Sequence, residues 1–406
     1  MAVLIFDHDG QDDISQIRTK FYVDLSPIQH NPIEGPSPED GANVRKFLVG
    51  VALWYGKIFR SHLFGHPTIV SCDAEFNSFI LQNEDRLFES SYPKNIPGVL
   101  GELTLLYVTG SEHKRLRGVA LDLFAGMRTN ASFISDIEDN VLQVMDSWKN
   151  KETLVFCDET RKFTFRVIVK QILSLRPEDP ETSEILSNFK TFMRGLVSAP
   201  INIPGTPYAK AIQARRQIQE IVRNIWQRRE REEQLGKGRR DFLDALIAAD
   251  RVSEEEVLSL VLDLLLGGYE TTSMLIAVIV KFLSVNPKML SDLKEEHLMV
   301  RRSKLENEPM EWDDYKKMEF TQCLINEALR LGSVRLFFLS LGGVFNEGYH
   351  IPAGWKVLPI FSGAHLDPNL HPDPFRFDPS RWQEYDDWYR RPLYVLFPYE
   401  SFAIRN

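Results

Sequence analysis

Cysteine is scarce in this chain: Cys72, Cys157 and Cys323 are its three. They stand too far apart for a disulfide framework or a zinc-binding spacing, and they read as thiols in a reducing compartment. A basic excess is missing too. Lys and Arg number 48 against 57 Asp and Glu, for a net charge of −9, so the chain has no electrostatic footprint for nucleic acid. Nor does a basic start lead into an apolar core. Met1–Phe6 runs at once into Asp7, Asp9, Asp12 and Asp13, which is not a signal peptide. Uninterrupted apolar runs are also lacking. Phe47–Tyr55 is too short to cross a bilayer, and Val257–Leu283 contains Asp263, Glu270 and Lys281. Charges at the bilayer centre are costly, so the latter reads as a helix buried in a large soluble core, and no membrane anchor is visible. Internal repeats and low-complexity blocks are absent.

What is present is a chain of 406 residues, 43% hydrophobic and 26% charged, an ordinary globular balance. Residues 1–46 carry Pro27, Pro32, Pro36 and Pro38 without clear periodicity and are expected to form a loose leader. Residues 47–406 are expected to form one large domain. Helical spacing predicts helices over Tyr107–Met127, Ser132–Trp148, Phe156–Leu175, Ala209–Gln234 and Asp313–Leu331, the last closed by Gly332. The charge run Arg228–Arg240 reads as a solvated helix end and loop. Ser253 with Glu256 forms a capping box, and Pro287 stops the helix between them. Gly348–Leu358 reads as a hairpin turning at Pro352-Ala353-Gly354. Helix dominates, with small sheets after residues 45 and 340.

Three constellations carry chemistry. Inside the apolar helix lies Gly267-Gly268-Tyr269-Glu270-Thr271-Thr272. Adjacent glycines in a helix interior cost about 1 kcal/mol each relative to alanine. Threonine hydroxyls bond back to carbonyls one turn earlier. The motif serves either a flat ligand with a proton relay or a close helix crossing with a satisfied Glu270. Glu327 and Arg330 share a helix face with apolar flanks, so a buried ion pair is plausible, and Arg381 is a candidate second arginine for it. His113 and Arg117, four apart, either hold anionic groups of a ligand or form a solvated basic face.

The order of these motifs, with Phe377-Asp378-Pro379-Ser380-Arg381-Trp382 closing it, resembles the cytochrome P-450 superfamily of haem-thiolate monooxygenases. Tyr55–Arg60, Phe79–Asn83, Phe88–Pro93 and Ile203–Tyr208 look similar to the plant steroid-hydroxylase branch, above all to brassinosteroid side-chain hydroxylases. The resemblance implies a mainly helical fold with small β-sheets, incomplete at the C-terminus. It implies haem as cofactor, electrons from NADPH through a reductase, a sterol or steroid substrate, a monomer, and a place at the cytosolic face of the endoplasmic reticulum membrane. Glu270 and Thr271 match the acid–alcohol pair that helps deliver protons, and Gly267 and Gly268 match its groove. His113 and Arg117 match contacts to the haem propionates. Glu327, Arg330 and Arg381 match a buried triad behind the haem. Substrate pockets of the family draw on the loop near Tyr92 to Val108 and on the central helix, and Pro200–Tyr208 matches a segment that tends to lie against the membrane.

Departures accompany the matches. The family's axial cysteine belongs to a glycine-rich loop beyond the position of Arg381, yet no cysteine follows Cys323. The chain as written is therefore expected to lack thiolate-haem activity. Similarity also fails over the first fifty residues and over Arg335–Val344, a pattern that fits altered exon joining. Two further readings remain: a non-catalytic steroid-binding remnant, and a metal-dependent hydrolase built on Asp7–Asp13, whose oxygen-rich cluster suits Mg²⁺ or Ca²⁺. An exposed acidic leader explains that cluster more simply, so no metal site is assigned.

Overall fold

The computed structural model describes residues 56–383, apart from 64, 94, 129–131, 150, 152, 234–240, 249–251, 306–307, 333–337, 341–343 and 347–348. The leader expected over 1–46, the Asp7–Asp13 cluster and most of Arg335–Val344 lie outside the described residues.

In chain order the first elements are β1 (Ile58–Leu63), β2 (His66–Ser71), α1 (Ala74–Gln82), β3 (Phe88–Ser90), α2 (Asn95–Leu100), α3 (Gly110–Arg128), α4 (Ser132–Asp146), α5 (Phe156–Leu173) and α6 (Pro180–Leu196). Then come α7 (Pro207–Glu233), α8 (Phe242–Ala248), α9 (Glu254–Ser284), α10 (Pro287–Arg302), α11 (Trp312–Lys316) and α12 (Glu319–Leu331). The last are β4 (Phe338–Ser340), β5 (Val344–Asn346), β6 (Tyr349–Ile351), β7 (Lys356–Pro359), α13 (Phe361–His365) and a 3-10 turn at Pro379–Trp382. The expected fold class, mainly helical with small sheets, is what forms. The chain divides into two compact units, one made of Met1–Tyr92 with Asn326–Asn406 and the other of Pro93–Ile325.

The first unit is built on a five-stranded sheet ordered β1-β2-β7-β4-β3. Its apolar side gathers Ile69, Phe76, Ile80, Phe88, Val357 and Phe361. Helix α1 starts where Asp73 accepts a hydrogen bond from the Phe76 N–H at 2.9 Å, a side-chain cap for an otherwise orphaned donor. Helix α13 packs directly on Cys72, leaving no room for a side chain at Gly363. Burial pushes the Cys72 thiol up to about 11. The expected hairpin over Gly348–Leu358 is corrected here. Its turn exists, with the Trp355 N–H donating to the Pro352 carbonyl at 3.2 Å and Gly354 at φ +78°. The strands it joins belong to different sheets: β6 pairs with β5, whereas β7 lies between β2 and β4. Buried Val357 and Leu358 place β7 in the sheet interior, where both its edges are paired.

The second unit is helical. Helix α9 is the long helix foreseen around the glycine motif, and its capping box forms: the Ser253 N–H donates to Glu256 at 2.7 Å and the Glu256 N–H to the Ser253 hydroxyl at 3.4 Å. It is long and apolar enough to cross a membrane by length and composition, but it packs against α5, α7 and α8. Burial is uneven along it. Val257 to Leu266 is buried almost all round, while Gly267, Thr272 and Val280 are exposed, so the expectation of a wholly buried helix holds for its first half.

Two further expectations are corrected. Asp313–Leu331 is not one helix: α11 ends at Lys316, and α12 begins afresh at Glu319. The carboxylate of Glu296 accepts the Phe320 and Thr321 N–H groups at 2.6 and 3.0 Å, satisfying a new N-terminus that would otherwise continue the old helix. The charge run from Arg228 is not uniformly solvated either. Arg229 is buried, bound to both Asp241 oxygens at 2.6 and 2.7 Å, to Asp244 at 2.8 Å and to the Leu173 carbonyl. Its guanidinium thus closes the C-terminal end of α5.

Candidate active site

The glycine motif of α9 resolves into two halves. At Gly267 an added Cβ would meet nothing, whereas at Gly268 it would come within 3.0 Å of Ile168 on α5. Gly268 is therefore a helix-crossing glycine, and Gly267 leaves an open strip on the helix surface. The crossing is sealed by the Thr164 hydroxyl, which donates to the Tyr269 carbonyl at 3.1 Å. Tyr269 itself packs edge-on against Phe165 and Phe189. Its buried phenol is pushed up to about 12, so it is a packing group. Thr271 bonds back to the Gly267 carbonyl, as the sequence suggested.

Glu270 has a partner that sequence reasoning did not find. Arg161 of α5 donates to it through Nη2 at 2.7 Å and Nε at 3.3 Å. Burial works against the Arg161 charge, and the bonds to Glu270 outweigh it and hold the guanidinium above its ordinary value. The signal was present in the sequence only as one arginine among many in an amphipathic stretch. The site thus offers a hydroxyl tied to its own helix, a carboxylate held by one cation, and an open glycine surface beside them.

On α3, His113 and Arg117 lie one turn apart and both are half-buried. An imidazole and a guanidinium at that spacing suit two carboxylates of one ligand. The same helix is docked by Arg115, which pairs with Glu256 at the start of α9. Burial alone would raise the Glu256 carboxyl, but the bonds from the Ser253 backbone and from Arg115 hold it low.

In the first unit the three residues singled out around Glu327 do come together. Arg330 donates to both Glu327 oxygens at 2.8 and 2.7 Å, and Arg381 Nε stands 3.4 Å from Oε1. Two donors were not foreseen: the Trp382 indole at 3.1 Å and the Asp378 N–H at 2.9 Å. Arg330 also reaches the carbonyls of His365, Pro374 and Arg376 at 2.8, 2.7 and 3.2 Å. Glu327 and Arg330 are both 0% exposed. A buried pair of this kind is tolerable because nearly every lone pair and proton has a partner.

A model of the family described as "Cytochrome P450" matches residues 30–396. The chain belongs to the cytochrome P450 family. Among curated proteins it is 48% identical over 366 residues to rice cytochrome P450 724B1, covering 88% of this chain and 76% of that one. To the cholesterol 22-monohydroxylase CYP90B52 of Paris polyphylla it is 42% identical over 357 residues, covering 85% and 74%. To a rice steroid (22S)-hydroxylase it is 41% identical over 350 residues, covering 84% and 69%. The solved structure of retinoic acid-bound cyanobacterial CYP120A1 superposes with a TM-score of 0.77 at 25% identity, over 88% of this chain and 81% of that one. The P450 fold and the family expected from motif order are therefore established.

The family's haem fits this chain in part. His113 and Arg117 suit its acidic edge, but the three cysteines do not suit its iron. Cys72 and Cys323 are buried, with thiols pushed up by burial, and Cys157 lies in the first turn of α5. Thiolate ligands need the opposite environment.

Proposed function

We propose that this P450 takes a sterol or steroid and serves the hydroxylation of its side chain, with electrons passed from NADPH by a partner reductase. The observation that carries the reading is the half-open α9 site, with Gly267 bare and Glu270 and Thr271 beside it, in a chain whose curated relatives include enzymes named for cholesterol and steroid hydroxylation. Gly267 admits a flat apolar ligand to the helix backbone. Glu270 and Thr271 form the acid–alcohol pair: the hydroxyl can pass a proton, and the carboxylate can resupply it after releasing Arg161. His113 and Arg117 hold carboxylates at the cofactor's edge. Glu327, Arg330 and Arg381 form a sealed network within their own unit, so their part is to hold its shape.

Bound haem would supply the oxidising chemistry, and its sulfur ligand is not among these three cysteines. Substrate capture tests this reading directly. Radiolabelled cholesterol, offered to the 406-residue protein in equilibrium dialysis, is expected to bind saturably and to be displaced by other sterols. Absence of saturable binding, or equal binding of an unrelated apolar compound such as a fatty acid, would overturn the reading. The exposed Ile201 and Ile203 in the loop before α7 support a place at a membrane surface, in keeping with the endoplasmic reticulum location expected for the family.

A further inference from the structure

One ionisable group in α9 has no part in the acid–alcohol pair. Asp263 stands between buried Leu262 and Leu264, one turn before Gly267 and on the same helix face. A carboxylate in such a run is costly unless it is hydrogen-bonded. Its two oxygens accept from the Thr104 hydroxyl and from the Leu105 N–H, the latter at 2.7 Å. Both donors lie in the loop that joins α2 to α3. That loop is itself wound around Thr104, whose carbonyl accepts the Tyr107 and Val108 N–H groups at 2.9 and 3.0 Å. Thr104 is 0% exposed, while its neighbours Leu103 and Tyr107 present apolar side chains to the surface. The far end of the loop is held separately. Gly101, at φ +101°, leaves the space that Arg215 of α7 occupies, and Arg215 donates to the Val99 carbonyl at 3.2 Å.

We propose that Asp263 is a positioning residue that fastens the 101–109 loop to α9 beside the bare strip at Gly267, so that the surface meeting a bound steroid keeps one shape. The proposal rests on the steroid reading above. Gly267 is four positions after Asp263, about 6 Å of helix rise, so the loop is anchored about one turn from the open glycine. The same loop leads into α3, where the His113 N–H bonds back to the Thr109 carbonyl at 3.4 Å. The clamp therefore also sets where the helix bearing His113 and Arg117 begins. Burial pushes the Asp263 carboxyl up to about 7, against the opposing pull of the Thr104 and Leu105 donors. No charged side chain among the described residues contributes to that shift.

The test compares parent, Asp263→Asn and Asp263→Ala in the full chain, by amide hydrogen exchange and by cholesterol dialysis. Asp263→Asn keeps an acceptor of the same shape. It is expected to leave exchange over 102–108 and cholesterol affinity within about twofold of the parent. Asp263→Ala is expected to raise exchange over 102–108 at least tenfold and to weaken cholesterol about tenfold, while exchange over α6 stays unchanged. A general loss of structure would move α6 as well, which separates positioning from mere stability. Unchanged exchange at 102–108 in Asp263→Ala would overturn the proposal. So would a loosened loop with undiminished cholesterol binding, or a failure of Asp263→Asn to rescue. Cholesterol binding absent from the parent itself counts against the steroid reading, and the exchange arm then decides the clamp alone.

Discussion

The two polar constellations of this P450 are built in opposite ways. Glu327 and Arg330 are sealed: besides each other they hydrogen-bond the Trp382 indole and four backbone groups, and Glu327 also ion-pairs with Arg381. Glu270 and Thr271 are half-open, with one ion pair and one bond back into the helix among the described residues. The first arrangement ties loop carbonyls from His365 to Arg376 onto a helix and has no slack. The second leaves its carboxylate a single partner to exchange. A charge that must only hold geometry is best saturated with bonds, since a buried ion that loses its partner is strongly destabilising. A charge that must handle a proton needs a partner it can leave.

The contrast is broken most severely at Glu327. Glu327→Ala strands the buried Arg330 cation and frees Arg381, Trp382 and Asp378 together. It is expected to cost about 4 kcal/mol, read as loss of a cooperative thermal transition. A mild shift of the melt would show that the network is less sealed than its bonds imply.

The next effect belongs to Asp263. Its ordinary value of 3.8 is pushed up to about 7 in the folded chain, so folding favours the neutral acid. The stability this contributes is fully present below about pH 4 and is lost as pH rises through 7, a fall of no more than about 4 kcal/mol. Denaturant titrations from pH 4 to 8 should show that fall in the parent and a flatter profile in Asp263→Asn. Equal profiles would contradict it.

Glycine substitutions sharpen the comparison within the motif. Gly268→Ala drives a methyl against Ile168 and is expected to destabilise by about 2 kcal/mol. Arg161→Ala comes next: it removes a half-buried pair worth about 1 kcal/mol, far less than Glu327→Ala although each removes one ion-pair partner. Gly267→Ala has open space and should stabilise by up to about 1 kcal/mol through helix propensity while weakening cholesterol binding. Thermal melts rank all three, and a Gly267→Ala protein as damaged as Gly268→Ala would erase the distinction between groove and crossing.

Much of this was legible in the chain itself. The Ser253–Glu256 box, the long α9 and the Glu327–Arg330 pair follow from local spacing, while Arg381 as their partner and the family itself came from the resemblance carried by motif order. What stayed hidden depends on partners distant in sequence. Glu270 and Arg161 are 109 residues apart, and Asp263 and Thr104 are 159 apart, so no periodicity links them. The break between α11 and α12 escaped for the same reason, because the cap that creates it comes from Glu296 on another helix. The misread hairpin shows the converse: a good turn at Pro352–Gly354 says nothing about which strands will pair. Gly267 and Gly268 look equivalent as letters, and only the neighbouring Ile168 tells them apart.

The most direct test of the account is amide hydrogen exchange of the full chain with and without saturating cholesterol. Protection is expected to rise over 101–109 and 263–272, while Glu327–Leu331 and Asp378–Trp382 exchange slowly in both states and do not change. Protection gained at the Glu327 network with none at α9, or no change anywhere, would contradict it.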